Sequence, residues 1–183
     1  LAFGMETSGS FLQYPGAKEV GVEFNSLSKT YGLAGARIGF CIGNREIVEK
    51  LTALKSNTDY GMFLPVQKAA IAAITGDQSC VKTTREAYQK RRDCFCEGMT
   101  SIGWKIGKCP ATMFVWAPIP AAYDSSVEFS ARLLDRAGVV VTPGSAFGPS
   151  GEGFVRVALV QDEEQILRAV ELVRDSHVLD GPV

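Results

Sequence analysis

The sequence predicts an α/β protein that ends in a smaller α+β unit. The order of its elements is the first reason: two strands and three helices precede a compact series of strand, strand, helix, strand, strand and helix. The second reason is the length of 183 residues, which suits one large domain or a domain with part of another. The third is a composition of 46% hydrophobic and 21% charged residues, which is typical of a globular chain with a real core.

Five segments make up the N-terminal part of the chain. They are a strand over 19–24 (EVGVEF), a strand over 36–43 (ARIGFCIG), a helix over 45–55 (REIVEKLTALK), a loop over 56–61 (SNTDYG) and a helix over 64–76 (LPVQKAAIAAITG). Asn44 can cap the N-terminus of the first helix. The second helix is rich in alanine and ends on Gly76, so we expect it to be buried.

A longer helix is predicted from Cys80 to Ile102, and Gly103 ends it. Its apolar residues follow one another at spacings of seven, seven, four and three, and are Val81, Tyr88, Phe95, Met99 and Ile102. A helix of this length can link two domains. We therefore predict a first domain over 1–102, which ends with this helix, and a second domain over 103–183.

The predicted second domain contains four strands, two helices and a fraying tail. In chain order they are two strands within 104–120, a helix over 127–138, strands over 139–144 and 153–160, a helix that follows Asp162, and the tail over 177–183. Ser125 with Glu128 forms a capping box for the first helix, and Gly138 ends it. Asp162 with Gln165 caps the second helix. The apolar face of that helix is formed by Ile166, Val170 and Val173.

Charge and cysteine content limit the class of function. The formal net charge is −1, so no long-range field attracts nucleic acid or an anionic membrane, and no apolar run approaches the roughly 20 residues that span a bilayer. The five cysteines are Cys41, Cys80, Cys94, Cys96 and Cys109. They form no C-x-x-C pair, which favours reduced thiols over a disulfide framework or a zinc site. Leu1 opens no signal peptide, and we expect a cytoplasmic fragment of a longer protein.

One short segment at the end of the first strand concentrates reactive side chains. It contains Ser26, Ser28, Lys29, Gly32, Gly35 and Arg37. In an extended chain the two serine hydroxyls point the same way and Lys29 points elsewhere, while the glycines let the backbone turn tightly. Two hydroxyls and the guanidinium of Arg37 suit a bound phosphate. A lysine that points away from this phosphate suits a covalent amine.

The same segment has two other interpretations. A lysine at a strand end is commonly a solvated residue whose apolar stem packs on the surface. The letters SKT also suggest a phosphate-binding P-loop, but that motif needs glycines where this chain has Ser28 and Glu23. The position of Lys29 alone favours a solvated residue, whereas its neighbours favour a phosphate site.

Arg156 stands in the middle of the apolar strand over 153–160. Strand alternation places it on one face with Phe154 and Ala158. The opposite face is formed by Val155, Val157 and Leu159. An unpaired buried guanidinium is costly, so Arg156 needs either an acidic side chain in a structural salt bridge or a bound carboxylate, which matches the arginine fork in two parallel bonds.

The segment 26–37 (SLSKTYGLAGAR) resembles the lysine signature of the class I and II, fold-type I aminotransferases, which use pyridoxal 5′-phosphate (PLP). The segment 153–159 (GFVRVAL) resembles the C-terminal arginine strand of that family. The resemblance covers essentially the whole chain but only about the C-terminal half of a complete enzyme, and it is strongest for the LL-diaminopimelate, alanine and aspartate aminotransferase branch. It implies the C-terminal part of the large PLP-binding domain with its sheet, followed by an α+β small domain.

The resemblance also implies a role for each matching residue. Lys29 binds PLP covalently and, once substrate has freed it, moves a proton between the substrate Cα and C4′ of the cofactor. Ser26, Ser28 and Arg37 hold the cofactor phosphate, and Arg156 binds the substrate α-carboxylate. The implied reaction is transamination between an amino acid and a 2-oxo acid, in a homodimer that needs no metal.

Two other functions stay open on the same residues. One is a non-catalytic, aminotransferase-like domain that senses a ligand within a transcription regulator, and the other is a different PLP reaction on the same fold, such as that of a β-lyase. Arg156 suits an amino-acid substrate in either enzyme and does not separate them. The family's acidic and aromatic partners of the PLP ring lie upstream of the lysine, and the 28 residues before Lys29 contain no match. We therefore expect this chain alone to bind PLP weakly or not at all.

Overall fold

The computed structural model of the protein describes residues 1–4 and 9–181 and shows a mixed α/β fold, as predicted. Its helices and strands are α1 (Ala17–Val20), β1 (Val22–Ser26), α2 (Leu27–Thr30), β2 (Gly39–Gly43), α3 (Arg45–Thr58), α4 (Leu64–Thr75), α5 (Ser79–Ser101), β3 (Phe114–Pro118), α6 (Ser126–Ala137), β4 (Thr142–Pro143), β5 (Phe154–Ala158) and α7 (Glu163–Asp175). Short 3₁₀ turns cover Phe11–Gln13, Ala34–Ala36, Gly144–Phe147, Pro149–Gly151 and Val178–Asp180. None of the described helices is both long and apolar enough to cross a membrane.

The chain divides into two compact units, and the division falls inside α5. The first unit consists of Leu1 and Met5–Arg85, and the second of Ala2–Gly4 and Glu86–Val183. These compact units are not a test of the predicted domains over 1–102 and 103–183, which are domains of the complete protein. That division stays a prediction.

The first unit contains an antiparallel ribbon of β1 and β2, in which Ser26 pairs with Gly39. Both strands begin later than the sequence predicts. The predicted start of β1 lies in α1, because the N–H of Gly21 bonds to the carbonyl oxygen of Ala17 at 3.0 Å and closes a helical turn before the strand begins. The predicted start of β2 lies in the 3₁₀ turn Ala34–Ala36.

Asn44 caps α3 as predicted, since its Oδ1 accepts a hydrogen bond of 3.0 Å from the N–H of Ile47. The predicted loop over 56–61 is wrong for its first three residues, which continue α3 to Thr58. Their polar side chains bond back to carbonyl oxygens of the same helix, and the hydroxyl of Thr58 donates to the carbonyl of Leu54 at 2.9 Å. Residues with a loop-like composition are therefore satisfied within the helix.

Helix α4 ends as predicted, with Gly76 as its C-cap. The prediction that α4 is buried is wrong for the described chain, in which Ala70 is its only buried residue. Ile71 keeps 61% of its surface exposed, and Leu64 and Ile74 are exposed as well. The described residues bury Ala70 and leave most of the other apolar side chains of this helix exposed.

The second unit is built around an antiparallel sheet in the order β3–β5–β4. One face of this sheet and helices α5, α6 and α7 contribute the side chains of a continuous hydrophobic core. Within it the rings of Trp104 and Phe129 meet edge to face at 5.2 Å. Val155 and Val157 are buried in this core, as the predicted alternation of β5 requires, so Arg156 lies on the opposite face of the sheet.

The strands of the second unit are fewer and shorter than predicted. The first predicted strand within 104–120 does not form, because the segment around Trp104 is irregular. The indole of Trp104 is buried and donates a hydrogen bond of 2.7 Å to the carbonyl of Pro118, so burial accounts for the apolar pattern without strand pairing. The predicted strand over 139–144 is reduced to β4 at the edge of the sheet, where Pro143 has no N–H to extend the ladder.

Helices α6 and α7 have the predicted N-cap residues, but the Glu128 half of the predicted capping box is not formed in the described chain. The Oγ of Ser125 accepts a hydrogen bond from the N–H of Glu128, and Gly138 ends α6 in the left-handed conformation with a φ of 65°. The Oδ1 of Asp162 accepts a hydrogen bond of 2.9 Å from the N–H of Gln165. Each cap depends only on neighbouring residues, which explains why the sequence predicts it.

The predicted fraying of the tail is wrong for residues 177–181. Val178 is fully buried, and its carbonyl oxygen accepts a hydrogen bond of 2.8 Å from the hydroxyl of Tyr123. This long-range contact fixes the tail on the second unit. The last two residues of the predicted tail, Pro182 and Val183, lie outside the described residues.

Candidate functional site

Residues 26–38 run from the last residue of β1 to the start of β2, and we call this segment the lysine loop. It contains α2 and a 3₁₀ turn. A hydrogen bond of 3.3 Å from the N–H of Leu27 to the carbonyl of Ile38 joins its two ends, next to the paired residues Ser26 and Gly39. The fold therefore brings the predicted lysine, serines and arginine to one closed loop at one end of the ribbon.

Ser26 is the last residue of β1 and the N-cap of α2. Its Oγ accepts a hydrogen bond of 3.1 Å from the N–H of Ser28. The expectation that both serines lie in extended chain with parallel hydroxyls is wrong, because Ser28 is already helical. A serine hydroxyl that accepts a bond keeps its own hydrogen, so both hydroxyls can still donate to a ligand oxygen.

Lys29 lies in α2, and its side chain is exposed. Within residues 1–4 and 9–181, no hydrogen bond or ion pair joins its amine to another residue. An amine that no carboxylate holds is free to act as a nucleophile once it is deprotonated. The structure therefore leaves the predicted covalent role open to Lys29.

Arg37 adopts a left-handed backbone conformation, with a φ of 52°, at the end of the 3₁₀ turn. This conformation costs a non-glycine residue roughly 1–3 kcal/mol and clusters at functional sites. The Nη1 of Arg37 donates a hydrogen bond of 3.0 Å to the carbonyl of Ala34, which holds the side chain to its own loop. Of the two glycines expected to turn the loop, Gly32 has a positive φ of 67° and Gly35 does not.

The donors of the lysine loop match two chemical groups of PLP. The hydroxyls of Ser26 and Ser28 and the guanidinium of Arg37 suit the anionic phosphate, and the free amine of Lys29 suits the aldehyde. The residues present thus fit the cofactor that the family resemblance implies. The individual roles of these four residues stay predictions.

Arg156 lies at the centre of the sheet of the second unit, where it pairs with Trp116 on β3 and Thr142 on β4. Its Cζ lies 4.5 Å from the centre of the Phe114 ring and 4.6 Å from the centre of the Phe147 ring. Aromatic faces attract a guanidinium electrostatically and shield it from water. The rings of Phe114 and Phe147 therefore hold the Arg156 guanidinium in place.

The described residues contain no acidic partner for Arg156. No carboxylate in residues 1–4 and 9–181 lies within 4.0 Å of the guanidinium, and its buried Nε has no hydrogen-bond partner there. A structural salt bridge, the first of the two alternatives that the sequence leaves open, is thus not formed in this part of the protein. A guanidinium with unused donors fits the second alternative, a carboxylate ligand.

Sequence reasoning missed the aromatic residues around Arg156. Phe114 and Trp116 share one face of β3 because they are two residues apart, so strand alternation could have indicated them. Phe147 lies in a 3₁₀ turn outside any periodic segment, and only the fold brings it to Arg156. The rings of Trp116 and Phe147 also contact each other, with centres 5.7 Å apart.

The remaining metal-binding or nucleophilic groups form no second centre in the part of the chain that the structure describes. No group of three or more His, Cys, Asp or Glu side chains there could hold a metal ion. All five cysteines are free thiols. Burial raises the pKa of Cys96 to about 11, so this thiol is a packing group.

The chain is similar in sequence to a family model and to proteins that are named as aminotransferases. The family model for "Aminotransferase class I and II" matches residues 4–173. The chain is 48% identical to an LL-diaminopimelate aminotransferase of Moorella thermoacetica, over 90% of this chain and 42% of the relative. It is 45% identical to a glutamate-pyruvate aminotransferase of Escherichia coli, over 94% of this chain and 42% of the relative.

Solved structures give the same result. The chain matches a probable N-succinyldiaminopimelate aminotransferase from Thermus thermophilus with a TM-score of 0.82 and 36% identity, over 90% of this chain and 44% of that chain. The chain therefore spans less than half the length of each of these three proteins.

Proposed function

The chain belongs to the class I and II aminotransferases, and from this premise we propose that the full-length protein transfers an amino group between an amino acid and a 2-oxo acid with PLP as its cofactor. By full-length protein we mean the natural polypeptide that carries these 183 residues, whatever its length. The observation that carries the proposal is the lysine loop, where an unpartnered amine shares one closed loop with two hydroxyls and a guanidinium.

Lys29 is the proposed covalent anchor and proton carrier. PLP, when bound, supplies an electron sink for the charge that develops at the substrate Cα. At rest the Nζ of Lys29 holds the cofactor covalently. Once substrate has displaced it, the same Nζ accepts the proton that leaves the substrate Cα, as a general base.

The other candidate residues are proposed to orient the reactants. Ser26 and Ser28 donate their hydroxyl hydrogens to the cofactor phosphate, and Arg37 adds its positive charge. Arg156 binds the substrate α-carboxylate, a role supported by its buried and unpartnered Nε. Anchors at a phosphate and at a carboxylate fix the direction of the Cα–H bond, which accelerates the reaction by orientation.

The relatives indicate the class of substrate. One is named an LL-diaminopimelate aminotransferase and another a glutamate-pyruvate aminotransferase. Together with the family resemblance of the sequence, these names support the substrate that we propose, which is of the LL-diaminopimelate, alanine or aspartate type. A homodimer and a cytoplasmic location are part of the same proposal, on the strength of the family resemblance.

Reduction of the PLP-loaded full-length protein with borohydride, followed by peptide mapping, tests the assignment of Lys29. We expect the reduced cofactor on the peptide that contains Lys29. The matched control is Lys29→Arg, which keeps the positive charge and should lose the label. A label on another lysine while Lys29 stays unmodified would show that the anchor is elsewhere.

A single-turnover experiment separates transamination from the two alternatives. Without a 2-oxo acid acceptor, an aminotransferase should convert about one equivalent of amino acid per active site and then stop. A ligand-sensing domain would carry the label on Lys29 and convert none. A β-lyase would continue past one equivalent and release ammonia.

A further inference from the structure

Residues 144–153 connect β4 to β5, and we call this connection the Phe147 loop. It consists of two 3₁₀ turns whose backbones touch. A Cβ atom placed on Gly144 would lie 2.0 Å from the carbonyl oxygen of Gly151, so only glycine fits at this contact. The loop is therefore a compact double turn.

One carboxylate attaches the Phe147 loop to α6. The Oε1 of Glu152 accepts hydrogen bonds from the N–H of Ser126 at 2.6 Å and from that of Gly153 at 2.9 Å, and its Oε2 accepts one from the hydroxyl of Ser126 at 3.1 Å. Ser126 is fully buried, and its Oγ lies 3.2 Å from the Oγ of Ser145. Both ends of the loop are thus fixed at the start of α6.

The two rings that contact Arg156 are held in different ways. Phe114 lies in β3, where pairing with Ala158 fixes its backbone. Phe147 belongs to no strand and keeps 51% of its surface exposed. Apart from its ring contacts with Arg156 and Trp116, the position of the Phe147 ring therefore depends on the loop that carries it.

The direction of the Arg156 guanidinium depends in turn on these rings. An arginine side chain is long and flexible, and the described residues offer this one no carboxylate to fix it. The ring contacts at 4.5 and 4.6 Å are what orient it. A change in the position of Phe147 should therefore reach Arg156 directly.

From these contacts we propose that Glu152 and Ser126 are positioning residues, which orient the guanidinium of Arg156 through Phe147. This inference adds two residues to the proposed carboxylate site. The effect of these residues on the direction of the Arg156 guanidinium is independent of the proposed function, and only their effect on substrate binding rests on it. Loss of the charge on Glu152 loosens the Phe147 loop and leaves the guanidinium less well directed. The cofactor anchor Lys29 belongs to the other unit and keeps its own loop contacts.

Three variants test this chain of contacts. Glu152→Gln removes the negative charge and one acceptor oxygen at nearly constant size. Phe147→Leu removes the ring and leaves Glu152 in place, so it tests the second step separately. Glu128→Gln is the matched control, because Glu128 is exposed in the first turn of the same helix and its carboxylate has no hydrogen-bond partner among the described residues.

The first measurement is hydrogen exchange of the Arg156 Nε–H with water in the 183-residue chain. It is followed by ¹⁵N NMR, and the signal is assigned by its loss in Arg156→Lys. We expect exchange at least about threefold faster in Glu152→Gln and in Phe147→Leu, and unchanged in Glu128→Gln. Any other pattern of exchange rates among the three variants overturns the proposal, because Glu152 then does not orient Arg156 by way of Phe147.

The pH dependence gives a second test that needs no ligand. Hydrogen bonds from the N–H groups of Gly153 and Ser126 lower the pKa of Glu152. A carboxyl group whose pKa is lower in the folded state than in the unfolded state stabilises the fold at pH values above its unfolded pKa. That stabilisation is lost as the pH falls through the lowered, folded-state pKa. The difference in Tm between wild type and Glu152→Gln should be present at neutral pH and shrink in acid. A difference that persists in acid overturns the role of the charge.

Kinetics of the full-length protein give the third test. Glu152→Gln should raise KM for the amino acid roughly three- to tenfold without a change in PLP occupancy. If Arg156→Ala raises KM and Glu152→Gln does not, the inference is wrong. If Arg156→Ala leaves KM unchanged, the proposed carboxylate role of Arg156 is wrong, and the exchange experiment alone decides the positioning inference.

Discussion

The two units of the chain differ in how much apolar surface they bury. In the described part of the first unit the buried hydrophobic residues are Ala17, Leu27 and Ala70. The second unit buries a continuous core that draws on one face of its sheet and on three helices. Because burial of apolar surface is the main stabilising term in folding, the second unit contains its own source of stability and the first contains little.

The candidate residues are divided between these two environments. Lys29 stands on a loop of a two-stranded ribbon, a structure that is only marginally stable by itself. Arg156 stands on the open face of a sheet whose other face forms the core. The comparison teaches that the proposed carboxylate site stands on a well-packed sheet, whereas the lysine loop rests on a ribbon that its own unit stabilises weakly.

The largest expected effect comes from separating the units. Residues 86–183 alone should fold and unfold cooperatively, because they keep the core of the second unit. Residues 9–85 alone should show no cooperative transition. Thermal unfolding followed by far-UV circular dichroism tests both fragments. Both are made by the same cut in α5, so damage to that helix affects each of them and cannot by itself explain a difference between them. A cooperative transition in the shorter N-terminal fragment would contradict the comparison.

Single substitutions should repeat the contrast on a smaller scale. Met99 is fully buried in the core, so Met99→Ala should lower the free energy of unfolding by about 2–5 kcal/mol. Ile71 is mostly exposed, so Ile71→Ala should change it by less than about 0.5 kcal/mol in the 183-residue chain. Urea unfolding followed by far-UV circular dichroism measures both changes, because both units contain helices. Equal losses would show that the first unit has a core of its own.

The smallest expected effect is a difference between two thiols in their rate of modification, one in each unit. Cys80 is exposed in the first unit, whereas Cys96 is buried in the second and burial raises its pKa to about 11. Since the thiolate is the reactive form, a disulfide reagent at pH 8 should modify Cys80 first and Cys96 only when the second unit unfolds. Mass spectrometry of the labelled peptides measures the order. Modification of Cys96 in the native chain as fast as that of Cys80 would mean that the core is open.

Sequence reasoning succeeded where the deciding contacts are local. Asn44, Ser125 and Asp162 cap helices that begin directly after them, and the alternation around Arg156 follows from the geometry of one strand. It failed where a contact from far along the chain decides. The hydrogen bond of Trp104 to Pro118 replaces a predicted strand, and nothing near Phe147 in the sequence indicates its ring contact with Arg156.

The same distinction applies to the lysine loop. The sequence predicts which residues share this segment, because they are close together along the chain. It does not predict how they turn, since the hydrogen bond from the N–H of Ser28 to the Oγ of Ser26 caps a helical turn where an extended chain was expected. The left-handed conformation of Arg37 is likewise set by its bonds to Ala34.

The central claim is the proposed assignment of two roles, in which Arg37 of the first unit holds the cofactor phosphate and Arg156 of the second binds the substrate carboxylate. The most direct test measures PLP affinity and KM for the amino acid in full-length Arg37→Ala and Arg156→Ala. We predict that Arg37→Ala weakens PLP binding by at least about tenfold, whereas Arg156→Ala leaves PLP binding nearly unchanged and raises KM by at least about tenfold. Equal losses of PLP affinity and of KM in both variants would contradict the division of roles.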